Sequence, residues 1–114
     1  MDWISGREVY KNERLKEPEV LEEEDHEFYE LKLFVNGTSV ISIRAMNNLR
    51  EILEKNIPGR YQLEIIDAHQ QPELTQSENV SATPMLIKKS PAPLRRMVGD
   101  MSDEQKVLKG LGLR

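Results

Sequence analysis

Four cations carry the clearest chemistry in this chain. Lys88 and Lys89 close one short apolar run, Arg95 and Arg96 interrupt the next, and Ser90-Pro91-Ala92-Pro93 separates the two pairs. Ammonium and guanidinium groups gathered on one turn can form a positive surface that recognises carboxylates. A second candidate is Asn36-Gly37-Thr38-Ser39, where a hydroxyl at a helix start can cap the backbone or help hold an anion. Capping is the commoner use, and Thr38 or Ser39 is read that way. The chain has no cysteine, which removes disulfide exchange, thiolate metal sites and a cysteine nucleophile together. His26 and His69 are far apart and outside metal-ligand spacing. Asp67 and His69 stand two apart with no nucleophile in frame, and Glu73 and Glu78 show no neighbour in sequence that would shift their acidity. The glycines are dispersed, so no phosphate-cradling loop occurs. These residues give no catalytic, metal or cofactor site, and the expectation is a protein that is not an enzyme.

The elements that must position the cations follow from local chemistry. Leu31-Lys32-Leu33-Phe34-Val35 reads as a first strand ended by Asn36-Gly37. Ala45, Met46, Leu49, Ile52 and Leu53 recur at three- and four-residue intervals, the face of a helix that Pro58-Gly59 stops. Tyr61–Asp67 is a second strand with Tyr61, Leu63 and Ile65 on one face, which makes a right-handed βαβ unit. A short helix starts near Pro72, because proline tolerates an early helical position. Met85-Leu86-Ile87 suits a buried strand. The proline turn follows, and Leu94, Met97 and Val98 resume an apolar pattern. Ser102-Asp103-Glu104-Gln105 reads as a capping box for a last helix. The order βαβαββα matches a thioredoxin-like α/β fold, in which Thr83-Pro84 occupies the place of a cis proline just before the third strand.

Composition bounds the rest. A chain of 114 residues is one domain with a modest core. No run is long enough for a membrane span and no secretory signal pattern opens the chain, so a cytoplasmic protein is expected, with no membrane partner. The net charge of −4 is uneven: residues 1–28 hold ten acids and four bases, whereas 29–114 hold ten acids and twelve bases. Residues 1–28, with Glu22-Glu23-Glu24-Asp25, read as a disordered acidic extension, and 29–114 as the domain. A domain net of only +2, with Tyr29, Phe34 and Tyr61 as its aromatics and Phe28 just before it, argues against nucleic acid. A protein partner with an acidic face fits better.

From about Tyr29 to Leu113 the chain resembles the KaiB family. The resemblance is carried by Leu31–Gly37, Ser42-Ile43-Arg44-Ala45, Ile66-Asp67, Gln71-Pro72, and the ungapped run from Ala82-Thr83-Pro84 through Pro91-Ala92-Pro93 and Arg95–Ser102 to Lys106–Leu111. It implies a non-enzymatic regulator that binds a KaiC-type ring ATPase and modulates its phosphorylation and ATPase state, in part by recruiting a KaiA-type protein. It also implies metamorphism: a thioredoxin-like form that binds the partner, and a homo-oligomeric resting form, dimer or tetramer, of order βαββααβ. By position it offers Arg44, Lys88, Arg95 and Arg96 as partner contacts, and Pro84, Pro91, Pro93, Gly110 and Gly112 as residues governing the fold.

The departures from the family pattern are specific. Glu64 and Asn79 stand where cations are usual, and Gly112 where an aspartate is usual. The acidic segment lies at the N-terminal rather than the C-terminal end. These features suggest a divergent relative, working with a KaiC homologue in a clock or a clock-derived timing or stress system. The alternative reading is a thioredoxin-like sensory domain that binds a histidine kinase or another signalling protein.

Overall fold

The computed structural model describes residues 27–37 and 39–113. The expected acidic extension lies outside the described residues except for Glu27 and Phe28, as does the possible cap Thr38. Chain order is β1 (Tyr29–Val35), α1 (Val40–Asn56), β2 (Tyr61–Asp67), α2 (Pro72–Ser77), β3 (Met85–Ser90), β4 (Arg95–Val98) and α3 (Glu104–Leu111). The sheet order is β2-β1-β3-β4, with β1 parallel to β2 and antiparallel to β3, and β4 antiparallel to β3. This is the thioredoxin-like βαβαββα arrangement expected from the sequence.

Strand alternation divides the apolar residues into two layers. Leu31, Leu33 and Val35 of β1 and Leu86 of β3 join Ala45, Leu49, Ile52 and Leu53 of α1 and Val107, Leu108 and Leu111 of α3. On the other face Phe34, Ile66, Met85 and Ile87 pack with Leu74 of α2 and Val80. The helical face read from the spacing of Ala45, Leu49, Ile52 and Leu53 is therefore the buried face of α1, with Met46 half-buried beside it. Tyr61, Leu63 and Ile65 of β2 share the α1–α3 side.

Local caps set where the helices begin. Ser39 accepts a hydrogen bond from the Ser42 amide at 3.2 Å and is the N-cap of α1. The last helix departs from its expected start. Its N-cap is Asp103, whose side chain accepts from the Lys106 amide at 3.3 Å, rather than Ser102 in a capping box. Ser102 is drawn into the preceding turn, where its amide donates to Asp100 Oδ1 at 3.0 Å. The helix then starts one residue later than the Ser-x-x-Gln pattern implies.

The peptides Thr83–Pro84, Ser90–Pro91 and Ala92–Pro93 are cis, the first as its position in the sequence suggested. Leu94 and Val98 are exposed, so of the last apolar run only Met97 turns towards the core.

Candidate partner-binding surface

The cation cluster read from the sequence is split by the pleat. Lys88 and Arg95 are register partners across β3 and β4, as are Ile87 and Arg96. Adjacent residues of one strand point to opposite faces, so Lys88-Lys89 and Arg95-Arg96 each place one cation on either side of the sheet. They cannot form a single positive surface, which corrects the expectation from composition.

Each cation meets different surroundings. Lys88 is 2% exposed, and its ammonium donates to the Leu111 carbonyl at 3.4 Å, beneath the last turn of α3. Burial pushes its pKa below the ordinary lysine value, and the neighbouring Arg95 charge adds to the effect. A group so enclosed has no face to offer a partner while α3 is seated, so Lys88 departs from the expected contact role in this form.

Lys89 lies on the α2 side and donates to both carboxylate oxygens of Glu78, at 2.8 and 3.0 Å. Lys32 adds an ion pair to the same carboxylate at 3.6 Å. The Arg96 guanidinium donates to the Glu78 carbonyl at 2.9 Å. The Lys89 hydrogen bonds are the main reason the Glu78 carboxyl titrates below its usual range. The sequence reading left Glu78 without partners, because all three cations come from strands 18 or more residues distant or across a loop. They converge only when α2 folds onto the sheet.

Arg44 and Arg95 remain as exposed cations on the side that carries α1 and α3. Arg44 is in the first turns of α1, between the exposed apolar residues Ile41 and Ile43, with Val40 one turn earlier. Its charge lowers the pKa of Asp100, after the hydrogen bonds that Asp100 accepts from Ser102. Asn48 of α1 donates to the Asp100 carbonyl at 2.9 Å and fixes the Gly99–Ser102 segment against the helix. Between Arg95 and Asp100 runs an open groove of about 620 Å³ between β4 and α3, with Met97, Met101 and Val107 along it and Lys106 and Lys109 on its rim. Neither this groove nor the Val40-Ile41-Ile43 face was read from the sequence. The i, i+3 pair Lys106 and Lys109 was a usable sign of a cationic helix face, but which element lay opposite it was not.

The glycines assigned to the fold lie at the α3 seat. A Cβ at Gly110 would run into the Met97 thioether, so glycine lets α3 approach β4 closely. Gly112 caps α3 at φ +85°, and a Cβ there would lie 3.8 Å from Lys88 Nζ.

The position that bears a catalytic thiol in thioredoxin-like oxidoreductases is filled by hydroxyls engaged in structure. Ser39 caps α1, and Ser42 Oγ accepts from the Asn36 amide at 2.9 Å. Among the described residues no three His, Asp or Glu side chains group to hold a metal ion, and no helix is long and apolar enough to cross a membrane.

Comparison with known proteins adds the following. The family model described as KaiB domain matches residues 32–113. A circadian clock oscillator protein KaiB of Prochlorococcus marinus is 51% identical over 85 residues, covering 75% of this chain and 81% of the relative. Among solved structures, the N-terminal domain of Synechococcus elongatus SasA has a TM-score of 0.63 at 23% identity, covering 89% of this chain and 95% of that domain. The germline-specific thioredoxin Deadhead of Drosophila melanogaster has a TM-score of 0.61 at 15% identity, covering 79% of this chain and 84% of that one. The two structural likenesses show the fold alone.

Proposed function

The chain belongs to the KaiB family, and from that premise we propose that it is a clock-type regulator acting by binding a KaiC-type ring ATPase. Binding changes the ATPase's phosphorylation and turnover, and no chemistry is performed by the chain itself. The observation that carries this reading is identity of 51% to a clock oscillator KaiB, spread over the folded domain rather than over one motif. Exposed Arg44 and Arg95 support it. Both stand on the α1–α3 side, Arg44 at the exposed apolar start of α1 and Arg95 on the groove that Met97 lines, and each pairs a cation with apolar surface as protein interfaces do. Arg96 is tied to the Glu78 carbonyl and is the lesser contact. A KaiA-type protein is a further partner in this reading, and the cytoplasm is the compartment.

The resting chain, in the same reading, is a homo-oligomer in which the second half takes the order βαββααβ. Two packings of one sequence need differ by only a few kcal/mol for both to be used. The α3 seat is a suitable place for such a balance, because its closure buries the Lys88 ammonium, sets Gly110 against the Met97 side chain and ends at Gly112 with φ +85°. Pro84, Pro91 and Pro93 flank β3 on both sides and so border the segment that would refold.

Size-exclusion chromatography with light scattering, on the full chain mixed with the host's KaiC homologue and ATP and sampled over hours, tests the proposal. A complex heavier than the ring alone is expected. No association under any nucleotide condition overturns it, and the same run without partner reads the resting mass.

A further inference from the structure

The groove between β4 and α3 is an open surface on an edge strand: among the described residues β4 ends the sheet and pairs only with β3. Along it lie half-buried Met97 and the edges of buried Met101 and Val107; on its rim stand Arg95, Lys106 and Lys109, all three exposed, while Asp100 and Asp103 line its end at the turn before α3. An occupant that fits is an extended segment with apolar side chains for the floor and carboxylates for the rim. The chain contains such a segment. Glu17-Pro18-Glu19-Val20-Leu21-Glu22-Glu23-Glu24-Asp25 sets one apolar pair among six acids and has no base. We propose that residues 17–25 of the same chain dock in this groove, with Val20-Leu21 on the methionine floor and the carboxylates on Arg95, Lys106 and Lys109.

The point of entry favours this site. Residue 27 leads into β1, whose Leu31 is in register with Lys88 of β3, itself in register with Arg95 of β4. Leu31 and Arg95 are thus two strand spacings apart, about 10 Å. Glu30 is in register with Ser90, so the chain enters the sheet beside the end of β3 that leads through the proline turn to β4. Val20 is seven residues before Glu27 and can reach about 23 Å from it, enough to cross to β4 and run beside α3. Carboxylates and cations at such a rim attract through water, so the contact weakens as salt is added. Because Arg95 belongs to the groove, docking would cover a cation assigned above to the ATPase; that consequence rests on the proposed function, whereas the docking does not.

The test needs no partner. The chain lacks cysteine, so Glu17→Cys in the full chain takes a single nitroxide label, outside the apolar pair. Paramagnetic broadening of amide signals from Arg95–Val98 and Lys106–Gly110 is expected at low salt. It should fall at least several-fold in 0.5 M salt, in the variant E22K/E23K/E24K, whose changes touch no element of the described fold, and in K106E/K109E. Labelled chain mixed with isotope-enriched unlabelled chain should give no broadening. Absence of the footprint, a footprint spread evenly over the domain, or one transferred between copies in the mixing experiment each overturns the proposal.

Discussion

Lys88 holds its ammonium under the end of α3, with one long hydrogen bond to the Leu111 carbonyl. Such an arrangement recovers only part of the cost of taking a charge from water. Its folded pKa is lowered from the ordinary 10.5, so between the lowered value and 10.5 the unfolded chain binds the more protons. Stability therefore rises with pH through that window and is flat below it. Lys88→Met removes the buried charge and keeps the stem's packing. It should raise the unfolding free energy in urea at pH 7 by about 1 kcal/mol, and the difference from the parent should shrink as pH approaches 10.5. Comparing the two proteins cancels the opposing alkaline effect of Tyr29, whose pKa burial raises. A loss of stability in Lys88→Met would show that the ammonium holds α3 in place. Gly112 gives a second expectation at the same seat. Alanine at φ +85° should cost about 1 kcal/mol, and Gly112→Asp clearly less, because its carboxylate would come beside Lys88 Nζ; equal losses in thermal unfolding would remove the Lys88 contact from the account. The pleat rule alone could have told from the sequence that Lys88 and Lys89 face apart. That α3 covers the Lys88 side depends on how far the Gly99–Asp103 turn carries the chain back, which no local pattern encodes.

Among the elements, α2 shows how a short helix with little apolar content is held. Its six residues include none that is buried, and its C-terminal Glu78 is gripped by Lys89 and Lys32 through the carboxylate and by Arg96 through the carbonyl. Glu78→Gln keeps the shape and removes the charge, and should cost about 1–2 kcal/mol at pH 7. The carboxyl's folded pKa is below its ordinary 4.5, so its contribution is complete above that value and disappears as pH falls through the lowered one. Urea titrations of parent and variant should therefore draw together as pH falls from 4.5 and meet below the lowered value. A gap that persists there would mean the loss comes from packing instead of charge. Long periodic segments such as α1, and alternating ones such as β2, were readable because their spacing reports which face is buried. The α2 start was readable from Pro72. Its anchoring was not, since Lys32, Lys89 and Arg96 come from three different strands. The cap of α3 was displaced by one residue because Ser102 and Asp103 are both good caps, and the turn's own hydrogen bond to Asp100 decides between them.

For the whole molecule, the order of elements and the family were legible because both depend on sequence order. The surroundings of the cations were not, because the pleat separates neighbours but which helix covers each face depends on how the chain returns over the sheet. The folded domain presents Arg44 and Arg95 on the α1–α3 side and keeps Lys88 within, so a partner docking there should sense the first two and be indifferent to the third. The most direct measurement is the dissociation constant of the full chain for the host's KaiC-type ATPase with ATP, determined for the parent, R44E/R95E and Lys88→Met at low and at high salt. The account predicts at least tenfold weaker binding for R44E/R95E, about 1.4 kcal/mol or more, with the gap narrowing at high salt and Lys88→Met close to the parent. Undiminished binding by R44E/R95E, or no binding by the parent itself, would contradict it.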